Sequence, residues 1–260
     1  MKNSRVFKIL LIIVIIAAIV GIALLIKNKG GKKASEEEVK IAEELMPSIL
    51  SLKDGYAIKY NGKELLFEND KLEYGDLSKG NILLAASSYV VDHKLDNQVQ
   101  TTILNSIEEN YGYAVNDYTP FKGEAIRKAV KEFFNENWQN QSSIDETNFG
   151  YNFIYIEEFD VYLKGRNESF AYPSSDAFVK TLIVETTTDK DDLKVEIAVA
   201  YVLKDNDEYQ YNKDVKGSKT VYTTKEIENI DEKKADDFEH YIVTLTKNGD
   251  NYSFKSIAKK

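Results

Sequence analysis

A long apolar run lies near the N-terminus of this chain, from Val6 to Ile26. Within the run, Ile9–Ile26 contains no charged residue and no strong hydrogen-bonding side chain. In an α-helix, with a rise of about 1.5 Å per residue, this stretch covers about 27 Å, close to the roughly 30 Å hydrocarbon core of a bilayer. The run therefore predicts one transmembrane helix, with the lipid bilayer as its partner through residues 6–26.

A cleaved signal peptide is the main alternative for this run. Signal peptides carry an apolar region of about 7–15 residues, followed by small residues at the cleavage site. Here the apolar run is longer, and the basic stretch 27–33 follows it with no Ala-x-Ala pattern before the charges. The chain has no cysteine, which excludes a lipoprotein signal. An uncleaved signal anchor is therefore preferred.

The basic residues constrain the orientation of this anchor only weakly. Three precede Ile9 and four follow Ile26 within residues 27–33, so the positive-inside rule does not choose a side. The short basic tail is typical of an export signal and favours an extracellular body. Seven of the 34 Lys and Arg lie within residues 1–33, so residues 34–260 carry 27 of them against all 43 Asp and Glu, a formal net charge of −16. This charge argues against nucleic acid as a partner. We therefore predict a single-pass protein of the cell membrane.

The remainder of the chain divides into three parts. Residues 27–34 are predicted to form a basic Gly/Lys linker, and residues 35–75 are predicted to form a helix plus a small hairpin. Residues 76–260 predict an α+β domain with three helices followed by antiparallel strands. Composition is that of a folded protein, with 43% hydrophobic residues and only 3 prolines.

Local signals define the segment 35–75. Ser35-Glu36-Glu37-Glu38 is a capping box, in which Ser35 and Glu38 each satisfy a backbone N–H of the other. Pro47 is expected to kink or end the helix that follows, because it lacks an N–H. Asn61-Gly62 lies between two short extended pieces and predicts a two-residue hairpin turn.

Three helices are predicted next. The first covers about 78–91, and Asn97 is expected to open the second. Thr119 and Pro120 are expected to be the N-cap and first residue of the third, because proline suits the first helical position. The third helix has the clearest apolar face, formed by Phe121, Ala125, Ile126, Ala129, Val130, Phe133, Phe134 and Trp138.

After residue 148 the apolar period changes from 3.6 to 2, which indicates strands. The predicted strands are 149–156, 159–163, 178–188, 193–203, 241–246 and 252–257, with a weaker one at 219–223. Along 193–203, Val195, Ile197, Val199, Tyr201 and Leu203 are expected to face the helices. The order of elements predicts an α+β fold with helices on one face of a curved antiparallel sheet.

The sequence offers little for catalysis. It contains no nucleophile elbow, phosphate-binding loop, zinc-protease motif or dinucleotide fingerprint. The two histidines, His93 and His240, are far apart in the sequence and are expected to have structural or surface roles. Acidic clusters in 189–192 and 205–208 are interpreted as turn residues, with calcium binding as the alternative. We predict no catalytic residue, no metal site and no cofactor.

Aromatic residues give one candidate binding region. Tyr151, Phe153, Tyr155, Phe159 and Tyr162 cluster on two predicted strands and are the candidates to line a ligand or peptide groove. The alternative is structural, because tyrosine and phenylalanine are common strand residues.

The C-terminal part resembles known proteins. Its last hairpin contains Tyr241, Val243, Leu245, Asn248, Gly249, Asp250, Tyr252, Phe254, Ser256 and Ile257. This pattern is similar to that of membrane-anchored extracytoplasmic proteins of low-GC Gram-positive bacteria, many of them uncharacterised, and the helices-before-sheet order resembles the NTF2-like/cystatin-like superfamily. The resemblance implies a conical α+β domain used for binding or assembly, and it transfers no functional residue. Three successive helices before the sheet depart from that pattern.

Two functions follow as hypotheses. The first is a membrane-tethered extracytoplasmic binding or assembly module without catalytic activity, with a protein or cell-envelope partner. The second is a carboxylate-based hydrolase acting on cell-envelope polymers, with Glu157, Glu158 or Glu185 among its candidate acids. A regulatory domain facing the cytosol requires the opposite membrane orientation.

Overall fold

The computed structural model describes residues 31–51, 71–139, 143–146, 151–166, 177–213 and 219–260. The predicted membrane run 6–26 and the predicted hairpin at Asn61-Gly62 lie outside these residues. Among the helices that are described, none is both long and apolar enough to cross a membrane.

The described residues form an α+β fold, as predicted. The helices are α1 (Glu36–Ser51), α2 (Lys79–Asp92), α3 (Thr101–Tyr111) and α4 (Gly123–Phe134). The strands are β1 (Lys32–Lys33), β2 (Lys71–Glu73), β3 (Tyr118–Lys122), β4 (Ser143–Glu146), β5 (Tyr151–Ile156), β6 (Val161–Arg166), β7 (Ala177–Asp189), β8 (Asp192–Asp205), β9 (Glu208–Asn212), β10 (Thr220–Thr224), β11 (Glu239–Asn248) and β12 (Asn251–Lys259).

The strands form two antiparallel sheets, where the sequence predicts one. The large sheet has the order β1-β7-β8-β11-β12-β2, and β9 and β10 extend it from the second half of β8. The small sheet has the order β3-β6-β5-β4. The predicted long hairpin of β7 and β8 and the predicted closing hairpin of β11 and β12 are both present.

The main hydrophobic core lies between the helices and the two sheets. It contains residues of α1, α2 and α4, of β8, β11 and β12, and of the inner face of β5 and β6. Val195, Ile197, Val199 and Tyr201 of β8 belong to this core, as predicted. The opposite face of β8 is apolar too, and a separate small cluster around Phe238 covers it. A third cluster packs α3 on the outer face of the small sheet.

The region before α4 differs from the sequence prediction. Thr119 and Pro120 lie in strand β3, and α4 begins only at Gly123 and ends before Trp138. Pro120 suits β3 because this strand is at the edge of the small sheet, where a missing N–H costs no sheet hydrogen bond. Asn97 does not open a helix; its side chain instead bonds Pro120 O at 3.2 Å and Lys122 N at 2.7 Å.

The N-terminal segments belong to the same body. The Ser35 capping box is present, with Ser35 N donating to Glu38 Oε2 at 2.8 Å. Helix α1 continues through Pro47, which is exposed, so water can satisfy the carbonyl left without its helical donor. Lys32 and Lys33, predicted to lie in a linker, pair with β7, and β2 pairs with β12. Residues 35–75 and 76–260 therefore contribute to one sheet.

Candidate ligand-binding groove

The described residues contain a groove where the C-terminal half of α2 lies against the small sheet. Its volume is about 540 Å³, which is within the usual range for small-molecule sites. It is lined by Leu84, Ser87, Ser88, Val91, Asp92, Asp117, Thr119, Phe121, Tyr151, Lys164 and Gly165. We call it the Lys164 groove.

Lys164 is placed in the groove by strand alternation. On β6 it lies two residues after Tyr162, which is buried in the main core, so both side chains point to the inner face of the small sheet. Thr119 of β3 and Phe153 of β5 are its neighbours across the sheet. Tyr162 is thus the last residue of β6 in the main core. Lys164, the next residue on the same face of the strand, lines the groove.

The contacts of Lys164 are polar on one side and aromatic on the other. Its Nζ donates to Ser87 Oγ at 3.3 Å. The same Nζ is 4.7 Å from the centroid of the Tyr151 ring and 5.9 Å from that of Phe153, both within the range of cation–π attraction. Ser87 is fixed in turn, because its hydroxyl donates to Leu84 O at 2.9 Å within α2. The ammonium group is therefore held in a defined position.

Two carboxylates stand at the exposed rim of the groove. Asp92, the last residue of α2, accepts a hydrogen bond from Ser88 Oγ at 3.0 Å. Asp117 ends the 3-10 turn that leads into β3. The charged lining of the groove is thus one cation on the floor and two anions at the rim, with the hydroxyls of Ser87, Ser88 and Thr119 between them.

The five aromatic residues predicted to line one groove do not lie together in the structure. Phe153 and Tyr162 are only 1% exposed and belong to the main core. Tyr155 is partly buried against that core, and Phe159 packs on the α3 side of the small sheet. Of the five residues, Tyr151 lines the Lys164 groove, and Phe159 lines a smaller groove of about 200 Å³ beside α3.

Tyr155 takes part in a network that fixes one end of the small sheet. Arg127 of α4 donates to both oxygens of Asp160, at 2.8 and 2.7 Å, and Tyr155 OH donates to Asp160 Oδ1 at 2.8 Å. Burial and the Asp160 carboxylate raise the pKa of Tyr155 to about 12. The hydrogen bonds from Arg127 outweigh burial and lower the pKa of Asp160. The network locks α4 to the turn between β5 and β6.

The predicted candidate acids do not converge on either groove. Glu157 and Glu158 lie in the exposed turn after β5, where Glu158 accepts from Tyr111 OH at 2.9 Å, and Glu185 is exposed on β7. The acidic cluster in 189–192 forms ion pairs with Lys194 and Lys255. No group of three or more potential metal ligands occurs in the part of the chain that is described.

Sequence reasoning missed Lys164, Ser87, Asp92 and Asp117. Lys164 carried a usable signal: in VYLKGR it falls on the same strand face as Tyr162, where an apolar residue is expected. A charge at an inward position indicates either an internal partner or a site. Ser87, Asp92 and Asp117 carried no comparable signal, because their proximity to Lys164 depends on how α2 and the turn before β3 pack against the small sheet.

Comparison with protein-family models, curated proteins and solved structures returned no match to this chain.

Proposed function

We propose that this chain is a membrane-tethered extracytoplasmic binding or assembly module, and that its ligand site is the Lys164 groove. The observation that carries the proposal is the fixed ammonium group of Lys164, flanked by a hydroxyl and an aromatic ring in a groove of ligand size. The apolar run 6–26 supports the tether, and the resemblance of the closing hairpin supports the extracytoplasmic side.

The lining of the groove favours a ligand of mixed character. An aromatic ring and several hydroxyls suit a ligand with both apolar and hydrogen-bonding groups. Lys164 suits a carbonyl or carboxylate oxygen, whereas Asp92 and Asp117 at the rim disfavour polyanions such as nucleotides. We therefore propose a neutral or zwitterionic ligand, such as a peptide or sugar-peptide segment of the envelope.

A photo-crosslinking experiment tests this site. In the full-length chain on intact cells, a benzophenone amino acid replaces Val91. This residue lies at the rim of the groove and is 63% exposed. We expect a specific adduct that Lys164→Met reduces by about one to two orders of magnitude, because a lost hydrogen bond to a charged group costs about 1.5–3 kcal/mol. The control places the same probe at Ile227, which is exposed but outside the groove. Equal adducts at both positions, or no effect of Lys164→Met, would contradict the proposal.

A hydrolase acting on envelope polymers is the second candidate. The observation in its favour is that Asp92 and Asp117 line the same groove, as the paired carboxylates of such an enzyme would. If this function holds, the full-length protein cleaves isolated envelope polymer, and Asp117→Asn or Asp92→Asn abolishes cleavage. Absence of cleavage by the unsubstituted protein would leave binding as the function.

A further inference from the structure

The charged groups of the Lys164 groove are separated along its length. Lys164 Nζ lies on the floor, 3.3 Å from Ser87 Oγ. Asp92 follows Ser87 by five residues on α2, so its Cα lies about 7.5 Å further along the helix axis. On the other wall, Thr119 pairs with Lys164 across the sheet, and the Cα of Asp117 is at most about 7 Å from that of Thr119. The positive and negative charges therefore stand at different ends of the groove.

The walls of the groove also carry apolar side chains. Leu84 and Val91 of α2, Phe121 of β3 and the ring of Tyr151 of β5 all line it. Such surfaces pack well against a methylene chain, as the stems of lysine side chains do in proteins. A ligand that follows the groove from its floor to its rim thus meets a cation, apolar walls and two anions.

The two carboxylates at the rim have no cationic partner among the described residues. Asp92 accepts a hydrogen bond from Ser88 Oγ, and neither Asp92 nor Asp117 takes part in an ion pair of the described chain. Asp92 is moreover the last residue of α2, where the helix dipole is negative and favours cations. Its position costs the free protein stability, and a bound cation would offset that cost.

We propose that the groove binds the C-terminal lysine of a peptide, with the free carboxylate at Lys164 and the side-chain ammonium at Asp92 and Asp117. This inference rests on the proposed function and specifies the ligand of the same site. An ammonium group has three N–H donors, so Lys164 can donate to Ser87 and to a ligand carboxylate at once. The methylene chain of the ligand then lies along the apolar walls, beside Tyr151.

The same charges disfavour related ligands. A free amino acid carries an α-ammonium group next to its α-carboxylate, and this cation would lie beside Lys164 and repel it. A polyamine offers no anion to Lys164. A peptide that ends in glutamate would place a second carboxylate near Asp92 and Asp117, where like charges repel. An acylated α-nitrogen together with a basic side chain, as in a C-terminal lysine, fits both ends of the groove.

Three dipeptide probes test this ligand class on the full-length protein in detergent micelles. They are acetyl-alanyl-lysine with a free carboxylate, the C-terminal amide of the same dipeptide, and acetyl-alanyl-norleucine with a free carboxylate. Isothermal titration calorimetry gives the Kd of each probe. We expect acetyl-alanyl-lysine to bind about ten-fold more tightly than either of the others, because each of them lacks one charged group. This difference corresponds to about 1.4 kcal/mol.

Substitutions at the two ends of the groove should have opposite effects. Asp92→Asn combined with Asp117→Asn should remove the preference for lysine over norleucine and keep the preference for carboxylate over amide. Lys164→Met should do the reverse, a crossed pattern that a purely structural role of these residues would not produce. Asp207→Asn combined with Asp236→Asn is the control for net charge, since both residues are exposed and outside the groove, and it should keep both preferences.

The stability of one variant shows that it remains folded. Asp92→Asn should leave the melting temperature unchanged or raise it, because it removes an anion from the C-terminal end of a helix. A loss of the lysine preference in this variant then reflects the lost charge rather than unfolding.

Equal affinity for the three probes, tighter binding of the amide, or no binding of acetyl-alanyl-lysine would overturn the proposal. These results differ from a failure of the proposed function, because photo-crosslinking at Val91 does not require a particular ligand. If Lys164→Met reduced the Val91 adduct while acetyl-alanyl-lysine did not bind, the groove would remain a binding site and its assignment to a C-terminal lysine would be wrong.

Discussion

Gly123, the first residue of α4, has no space for a side chain. A Cβ atom at this position would lie 2.0 Å from Asp160 Oδ1 and 2.6 Å from Asp160 Cγ. Gly123 N also donates to Asp160 O at 2.6 Å, so the two backbones cannot separate without losing a bond. The absent side chain is what allows α4 to approach the turn after β5.

We expect Gly123→Ala to lower the free energy of unfolding by about 1–3 kcal/mol, because it forces apart a packed contact. Urea unfolding of the two proteins measures the difference. Gly75→Ala is the matched control, since a Cβ there meets nothing within 4 Å, and it should change stability by less than about 0.5 kcal/mol. Equal effects of the two substitutions would contradict this account of α4.

Gly249 is required by its backbone conformation rather than by space. Its φ is +63°, and a Cβ atom added there would meet nothing within 4 Å. We expect Gly249→Val to cost about 1–2 kcal/mol, because a β-branched residue is strained in the left-handed region. Gly249→Asn, which tolerates this region, should cost clearly less. Thermal unfolding measures both, and equal melting temperatures for the two variants would indicate a different turn.

Residues whose partners are close in sequence were predictable. Ser35 and Glu38 satisfy each other within one helical turn, and Asn248-Gly249-Asp250 marked the last turn correctly. Thr119 and Asn97 were interpreted wrongly, because both resemble helix N-caps locally. Asn97 bonds the backbone of β3 about 25 residues away, and no local pattern contains that information.

At the scale of elements, the Arg127–Asp160 pair joins α4 to the small sheet. The pair lowers the pKa of Asp160, mainly through the hydrogen bonds from Arg127. A carboxyl group with a lowered pKa stabilises the folded state above its unfolded pKa and loses that contribution as the pH falls through the folded value. Both side chains are more than one-third exposed, so solvent screens the contribution.

We therefore expect the free energy of unfolding of Arg127→Met to fall less steeply at acidic pH than that of the parent protein. The parent protein should lose stability between about pH 4 and pH 2, where the unfolded Asp160 binds a proton more readily than the folded one. The variant should lose less over the same interval. Urea unfolding at a series of pH values measures this, and Lys128→Met on the exposed side of α4 is the control. If Arg127→Met lost as much stability over this interval as the parent protein, the result would contradict the role of the pair.

Helix α4 is also central to the main core. Phe134 is 4% exposed, and its ring centroid lies 4.6 Å from that of Phe133 and 6.0 Å from that of Phe254 on β12. We expect Phe134→Asp to unfold the body, because burying an unpaired charge costs several kcal/mol of a total stability of about 5–15 kcal/mol. Phe134→Leu should remain folded with a modest loss. Circular dichroism and thermal unfolding distinguish the two, and a folded Phe134→Asp with an unchanged melting temperature would exclude α4 from the core.

Elements with a strong apolar period were predictable, and their assembly was not. The face of α4 and the face of β8 were both identified from the sequence. The division into two sheets was not, because it depends on β3 pairing with β6 about 40 residues later. The sequence also did not show which residues bury the second face of β8, although Ala198, Ala200 and Val202 make that face apolar.

At the scale of the whole molecule, the proposed tether would limit where the body can lie. Lys32 and Lys33 pair with β7, so Gly31 lies beside the edge of the large sheet. If the run 6–26 spans the bilayer, as we propose, the five peptide units from Ile26 to Gly31 reach at most about 18 Å. The tether would then hold the body next to the membrane surface.

The most direct test of a tethered binding module is the labelling of its groove on intact cells. One cysteine at Val91 marks the rim of the Lys164 groove, and one at Asn251 marks the closing turn away from it. A membrane-impermeant maleimide should label both without lysis. The ratio of Val91 to Asn251 labelling should be lower on cells than in purified protein, because ligand covers the groove, and Lys164→Met should restore it. Labelling that appears only after lysis, or an identical ratio in both settings, would contradict the proposed function.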